Sequence, residues 1–187
     1  IRNAVICSKE MCFALMGISI NDTLLDIIVN DMIQKTVEIN NCACSAIISN
    51  PLSDYLKLAD TYQKLKEGFH IRMIRKQQWQ YIFLDELQYD RIMLHISEDT
   101  EVHQFIRCKL GPLVEYDRAH DTQLLETLEA LIQNHNSRKL AAESLFLHRN
   151  TMVHRINKIE EVLHCSLDDT EIMEQLEFAI KMKMYAH

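Results

Sequence analysis

Residue types that bond to other molecules crowd together between positions 137 and 158, where Arg138, Lys139, His148, Arg149, Asn150, Thr151, His154, Asn157 and Lys158 all fall. Five bases in that stretch, Arg138, Lys139, Arg149, Arg155 and Lys158, face the single acid Glu143. The stretch therefore carries +4 in a chain of net charge −7, leaving −11 on the other residues. Net acidity argues against a protein that coats nucleic acid over its whole surface, whereas a basic island in an acidic chain is either a local binding surface or a solvated face. The mixture of side chains narrows the chemistry. A guanidinium can bond bidentately to guanine O6/N7, and a carboxamide to adenine N6/N7. Other chemistries leave weaker traces. Cys7, Cys12, Cys42, Cys44, Cys108 and Cys165 follow no disulfide framework and are expected to be reduced, mostly buried thiols. Cys42-Ala43-Cys44 lacks a second pair or a His at zinc spacing, so no metal is expected. With nine scattered His and no G-x-S-x-G, P-loop or H-E-x-x-H run, the sequence suggests neither catalytic residues nor a cofactor.

Two helical patterns must position the polar cluster. In the second, Met152, Ile156, Ile159 and Leu163 recur at i, i+4, i+7 and i+11 and form one apolar stripe. At about 100° per residue, Asn150, His154 and Asn157 point away from it, with Val153 on one flank and Thr151 and Lys158 on the other. Arg155 lies nearer the stripe, where an ion pair and a phosphate contact are both open to it. In the first pattern Ser137 suits an N-cap, Ala141 and Ala142 permit close helix approach, and Leu145 and Leu147 bracket the turn with apolar anchors. The pair reads as a helix-turn-helix, a motif that serves in DNA recognition and also as a plain packing unit.

The chain around this pair divides by periodicity. Only 3 Gly and 2 Pro in 187 residues imply long regular elements, and 48% hydrophobic content supports a core. Residues 4–7 and 11–18 read as strands, and a helix begins at Asn21 or Asp22 with apolar residues Leu24, Leu25, Ile28, Met32, Ile33 and Val37. Residues 43–49 form a third strand, a helix runs from Ser53 or Asp54 toward Gly68, and residues 81–84 supply a last strand. Beyond Asp85 the pattern is all helical, with apolar stripes at 87–95, 101–110, 123–132, 138–145, 149–163 and 171–184. The fold class expected is α+β: a small α/β sheet domain, then an all-α domain. A hinge is expected at Gly111-Pro112 and the polar stretch 116–122, dividing the chain into 1–118 and 119–187. Because no apolar run approaches roughly 20 residues and no signal-peptide profile opens the chain, a cytoplasmic protein with no membrane role is expected. Beginning at Ile1, the chain reads as a fragment of a longer protein.

The run 140–163 closely resembles the C-terminal helix-turn-helix of the bacterial PucR/CdaR-type transcription regulators, the purine-catabolism and sugar-diacid regulators. Their A-x-x-L-x-[VL]-H-R-N-T-[LM] hallmark is intact at 142–152. Leu110-Gly111-Pro112-Leu113 is similar to the family's L-G-P-L segment, Leu124-Leu125-Glu126-Thr127-Leu128 to its L-L-x-T-L helix, and Leu167-Asp168-Asp169 to its L-D-D. Residues before about 108 resemble, more weakly, the degenerate GGDEF-like domain that precedes this module.

This resemblance implies sequence-specific binding of double-stranded DNA, with the helix from about Arg149 to Leu163 in the major groove. The DNA-contacting residues expected are Arg138, Lys139, His148, Arg149, Asn150, Thr151, Val153, His154, Asn157 and Lys158. His148 is not a preferred cap and is assigned to phosphate. Family members commonly carry a base and a Tyr where this sequence has Val153 and His154, so one backbone contact is expected to be weaker. The α/β half lacks a GG[DE]EF run and is expected to be noncatalytic, its alternative role being dimerisation or signal reception while the helical half only packs. A homodimer is expected because one short helix reads few base pairs. An effector is expected to be sensed by a missing N-terminal region. Met173, Leu176, Ile180 and Met184 can pack into the core or form a dimer surface, with core packing the expected role.

Overall fold

A computed structural model of the chain describes residues 3–7, 12–16, 22–41, 44–52, 54–75 and 80–186. It contains two compact units, Ile1–His95 and Ile96–His187. In the first, strands β1 (Asn3–Cys7), β2 (Cys12–Met16), β3 (Ala46–Ile48) and β4 (Tyr81–Phe83) form one sheet in the order β2-β1-β3-β4. β1 runs antiparallel to both its neighbours, and β3 pairs with β4 in parallel. Helix α1 (Asp22–Asn40) follows β2, and α2 (Leu58–Arg75) makes the crossover between β3 and β4.

β3 is buried throughout, so its alternating side chains serve two layers. Ala46 and Ile48 pack with Leu25, Val29 and Ile33 of α1, which recur every four residues along one helix face. Ile47 meets α2 at Gly68, where a Cβ would lie 2.6 Å from its Cδ1 and 3.0 Å from Leu87 Cδ1. Gly68 is therefore not a helix stop. It is the small residue that lets α2 settle on β3, and the helix continues seven residues beyond it. The apolar phase expected for α1 also shifts, since Leu24 and Val37 are exposed and Val29 takes a core position. The Cys42-Ala43 half of the C-x-C lies outside the described residues.

The second unit is entirely helical among the described residues. Helix α3 (Gln88–Ser97) leads into it, followed by α4 (Thr100–His120), α5 (Leu124–Gln133), α6 (Arg138–Ser144), α7 (Arg149–Leu163) and α8 (Thr170–Tyr185). One core joins α4 to α8: Leu110 and Leu113, Leu124 and Leu128, Ala141 and Ala142, Met152, Ile156 and Ile159, then Met173, Leu176 and Ile180. The last three side chains are core, as expected, while Met184 is exposed.

The expected hinge is not a break. α4 runs unbroken through Gly111 and Pro112 to His120, so the boundary expected at 118/119 falls inside a helix of the second unit. Proline removes one intrahelical hydrogen bond and crowds the preceding turn. Leu110 and Leu113 are both buried on either side of it, and this burial stabilises the helix across the proline. The stretch 116–121 is α4's last turn, closed by Asp121 in the left-handed region at φ 52°.

Candidate nucleic-acid interface

Local hydrogen bonding builds the α6-turn-α7 pair. Ser137 caps α6 by accepting from the Leu140 N–H at 3.4 Å. Small Ala141 and Ala142 are buried where α6 meets its neighbours. The turn closes through Phe146 N–H to Glu143 O at 3.1 Å and Leu147 N–H to Ala142 O at 2.8 Å, with Phe146 left-handed at φ 54°. His148 then caps α7. Its Nδ1 accepts from the Asn150 N–H at 3.3 Å, so this His fills the cap position although His is not a preferred cap. Any phosphate contact falls to Nε2. His164, left-handed at φ 51°, ends the helix.

α7 is two-sided. Met152, Ile156 and Ile159 are almost fully buried, while Arg149, Asn150, Thr151, Val153, His154 and Asn157 are exposed on the other face. The side chains of Arg149, Asn150, Thr151, His154 and Asn157 make no hydrogen bond or ion pair among the described residues. That row of donors and acceptors is available to an outside partner.

The other four bases of the cluster are engaged. Arg138 reaches Asp168 at 2.8 Å, and Lys139 lies 4.0 Å from Glu143. Lys158 pairs with Glu161 at 2.7 Å, which raises its pKa, and sits 5.7 Å from the Tyr116 ring centroid. Arg155, for which an ion pair and a phosphate contact were both open, instead donates to neutral oxygens: Thr127 Oγ1 at 3.1 Å and Gln123 Oε1 at 3.2 Å. Exposed ion pairs of this kind are worth little, so Arg138, Lys139 and Lys158 can exchange a carboxylate for a phosphate at small cost.

Asp117, in the stretch read as a hinge, performs the capping that α5's own N-terminal residue does not. It accepts from Leu124 N–H at 2.8 Å, Leu125 N–H at 2.9 Å and the Thr122 hydroxyl at 2.6 Å. Burial pushes its carboxyl pKa up, but these bonds and the Arg155 charge outweigh burial and hold it below the ordinary carboxylate range. No local signal marks this cap, because the acceptor lies seven residues before the helix it closes.

Residues 124–182, the stretch from α5 into α8, match the PucR C-terminal helix-turn-helix domain. The chain carries a PucR-type helix-turn-helix. Three relatives match parts of the chain. The purine catabolism regulatory protein of Bacillus subtilis (strain 168) is 32% identical over 91 residues, 49% of this chain and 17% of that protein. The proline-responsive transcriptional activator PutR of the same organism is 31% identical over 133 residues, 69% of this chain and 32% of that protein. An uncharacterized protein encoded in the pkwA 5′ region of Thermomonospora curvata is 35% identical over 85 residues, 46% of this chain and 47% of that protein. The chain thus spans less than half the length of each.

Within the PucR-type domain, α6 and α7 are the motif's two helices, α5 and α8 supply its hydrophobic floor, and α4 extends that floor beyond the matched residues. Among the described residues no helix is long and apolar enough to cross a membrane, and no group of three or more His, Cys, Asp or Glu is placed to hold a metal ion. Cys44, Cys108 and Cys165 are free thiols: Cys108 is exposed, against the expectation of burial, while Cys44 and Cys165 are half-buried.

Proposed function

We propose that the chain is the DNA-binding portion of a bacterial transcription regulator and that α7 reads the major groove. The observation that carries this reading is the exposed, unengaged row Arg149, Asn150, Thr151, His154 and Asn157 on a helix whose opposite face is locked into the core. Arg149 matches the acceptors of guanine, Asn150 and Asn157 match the edge of adenine, and Val153 offers apolar contact to a thymine methyl. Arg138, Lys139, His148 and Lys158 flank that row as phosphate contacts, which set register without reading sequence. The first N–H groups of α7 add a favourable field for phosphate.

One recognition helix covers few base pairs, so two copies bind a two-fold site, and the effector acts through a part of the protein outside this chain. A DNA partner entails a cytoplasmic location. Residues 119–187 carry the reading helices. The first unit is a noncatalytic GGDEF-like domain, a reading supported by its glycines: Gly68 serves packing against Ile47, and no glycine-rich phosphate loop occurs. Selection of bound duplexes from a random pool tests the reading, with enrichment of a two-fold symmetric consensus the expected result. Recovery of no consensus by a folded chain would contradict it. Incubation with GTP and Mg²⁺ or Mn²⁺ should yield no cyclic dinucleotide.

A further inference from the structure

We infer that Arg155 is a positioning residue for DNA recognition, fixing the rotation of α7 about its own axis through α5 without touching DNA itself. The inference rests on the DNA-binding reading above. Arg155 is held by two side-chain hydrogen bonds to residues outside the α6-turn-α7 pair: its two terminal nitrogens go separately to Thr127 Oγ1 at 3.1 Å and Gln123 Oε1 at 3.2 Å. Thr127 is fully buried, and its hydroxyl donates to Gln123 O at 2.7 Å, so its lone pairs point to Arg155 in one fixed direction. The two acceptors are the N-cap residue of α5 and a residue of its first turn, and that turn is itself pinned by Asp117.

A planar guanidinium held at two points resists rotation, which the apolar contacts of Met152, Ile156 and Ile159 alone define less sharply. Arg155 follows His154 and precedes Asn157 by two residues, so a small roll of α7 would carry both base-facing side chains out of register. Lys158, one turn further along, adds a second tie through the Tyr116 ring.

The test compares the full chain with Arg155→Lys, Arg155→Met and Thr127→Val by anisotropy titration against a selected and a random duplex over a salt series, with thermal melts to establish folding. A positioning role predicts that all three variants lose affinity for the selected duplex by about tenfold, the scale of one net hydrogen bond, and keep the parent's affinity for random duplex. It predicts an unchanged salt slope, because no phosphate contact is lost. Lys keeps the charge but cannot span two acceptors, so it should fail to rescue. Thr127→Val is decisive should Arg155→Met not fold, because a buried side chain cannot reach DNA. Full rescue by Lys, a slope reduced by about one phosphate in Arg155→Met, or an unaltered preference in Thr127→Val would each overturn the inference. Absence of parent binding to either duplex would instead sink the DNA-binding reading, and this inference with it.

Discussion

The two units differ in what they leave unmatched. In the α/β unit, Lys35, Lys64, Arg75 and Arg91 each reach a carboxylate of the same unit, and Tyr81 ties β4 to α1 by donating to Asp26 at 2.8 Å. In the helical unit one face of α7 holds Arg149, Asn150, Thr151, His154 and Asn157 without such partners among the described residues, although Met152, Ile156 and Ile159 of the same helix are almost fully buried. The buried face holds that row of donors and acceptors in one arrangement toward solvent. Their glycines differ in the same sense. Gly68 is where two layers touch, whereas a Cβ at Gly111 would meet nothing within 4 Å.

The contrast between the faces of α7 is broken most severely by Ile156→Ala, which leaves a cavity under the reading face. It should cost about 2–5 kcal/mol of stability in a thermal or denaturant melt. Asn150→Ala sharpens the contrast from the other side. The melt should be nearly unchanged, because the side chain bonds to nothing among the described residues, while specific binding falls by about 1–3 kcal/mol and preference relaxes at one base pair. The two glycines should respond with opposite signs. Gly68→Ala must displace Ile47 and Leu87, both nearly fully buried, and should destabilise by about 1–3 kcal/mol. Gly111→Ala should stabilise α4 by about 0.5–1 kcal/mol, since Ala is the better helix former and has room. Val153→Arg has the smallest expected effect, steepening the salt slope by about one phosphate and tightening binding at low salt.

The inside and outside of α7 were legible in the sequence because Met152, Ile156 and Ile159 keep strict helical spacing and nothing distant competes with it. Ser137 as a cap and the small pair Ala141 and Ala142 were legible for the same local reason. Pro112 misled because proline's effect is local while the burial of Leu110 and Leu113 is tertiary. Gly68 misled because glycine ends helices and also admits neighbours, and only the position of Ile47 decides between the two. Asp117 was invisible as a cap because its acceptors serve a helix across a turn. Arg155 resisted reading because its partners, Gln123 and Thr127, lie some thirty residues earlier and are neutral, so no charge pattern connects them.

The most direct test is the affinity of the full chain for its selected duplex, followed by fluorescence anisotropy as salt is raised, with the Asn150→Ala variant alongside. The account predicts that log affinity falls linearly with log salt for both proteins, with the same slope, and that the variant's line is displaced downward because a base contact and not a phosphate contact is lost. Two coincident lines, or a folded parent that binds no duplex at low salt, would contradict the assignment of α7's exposed face to DNA.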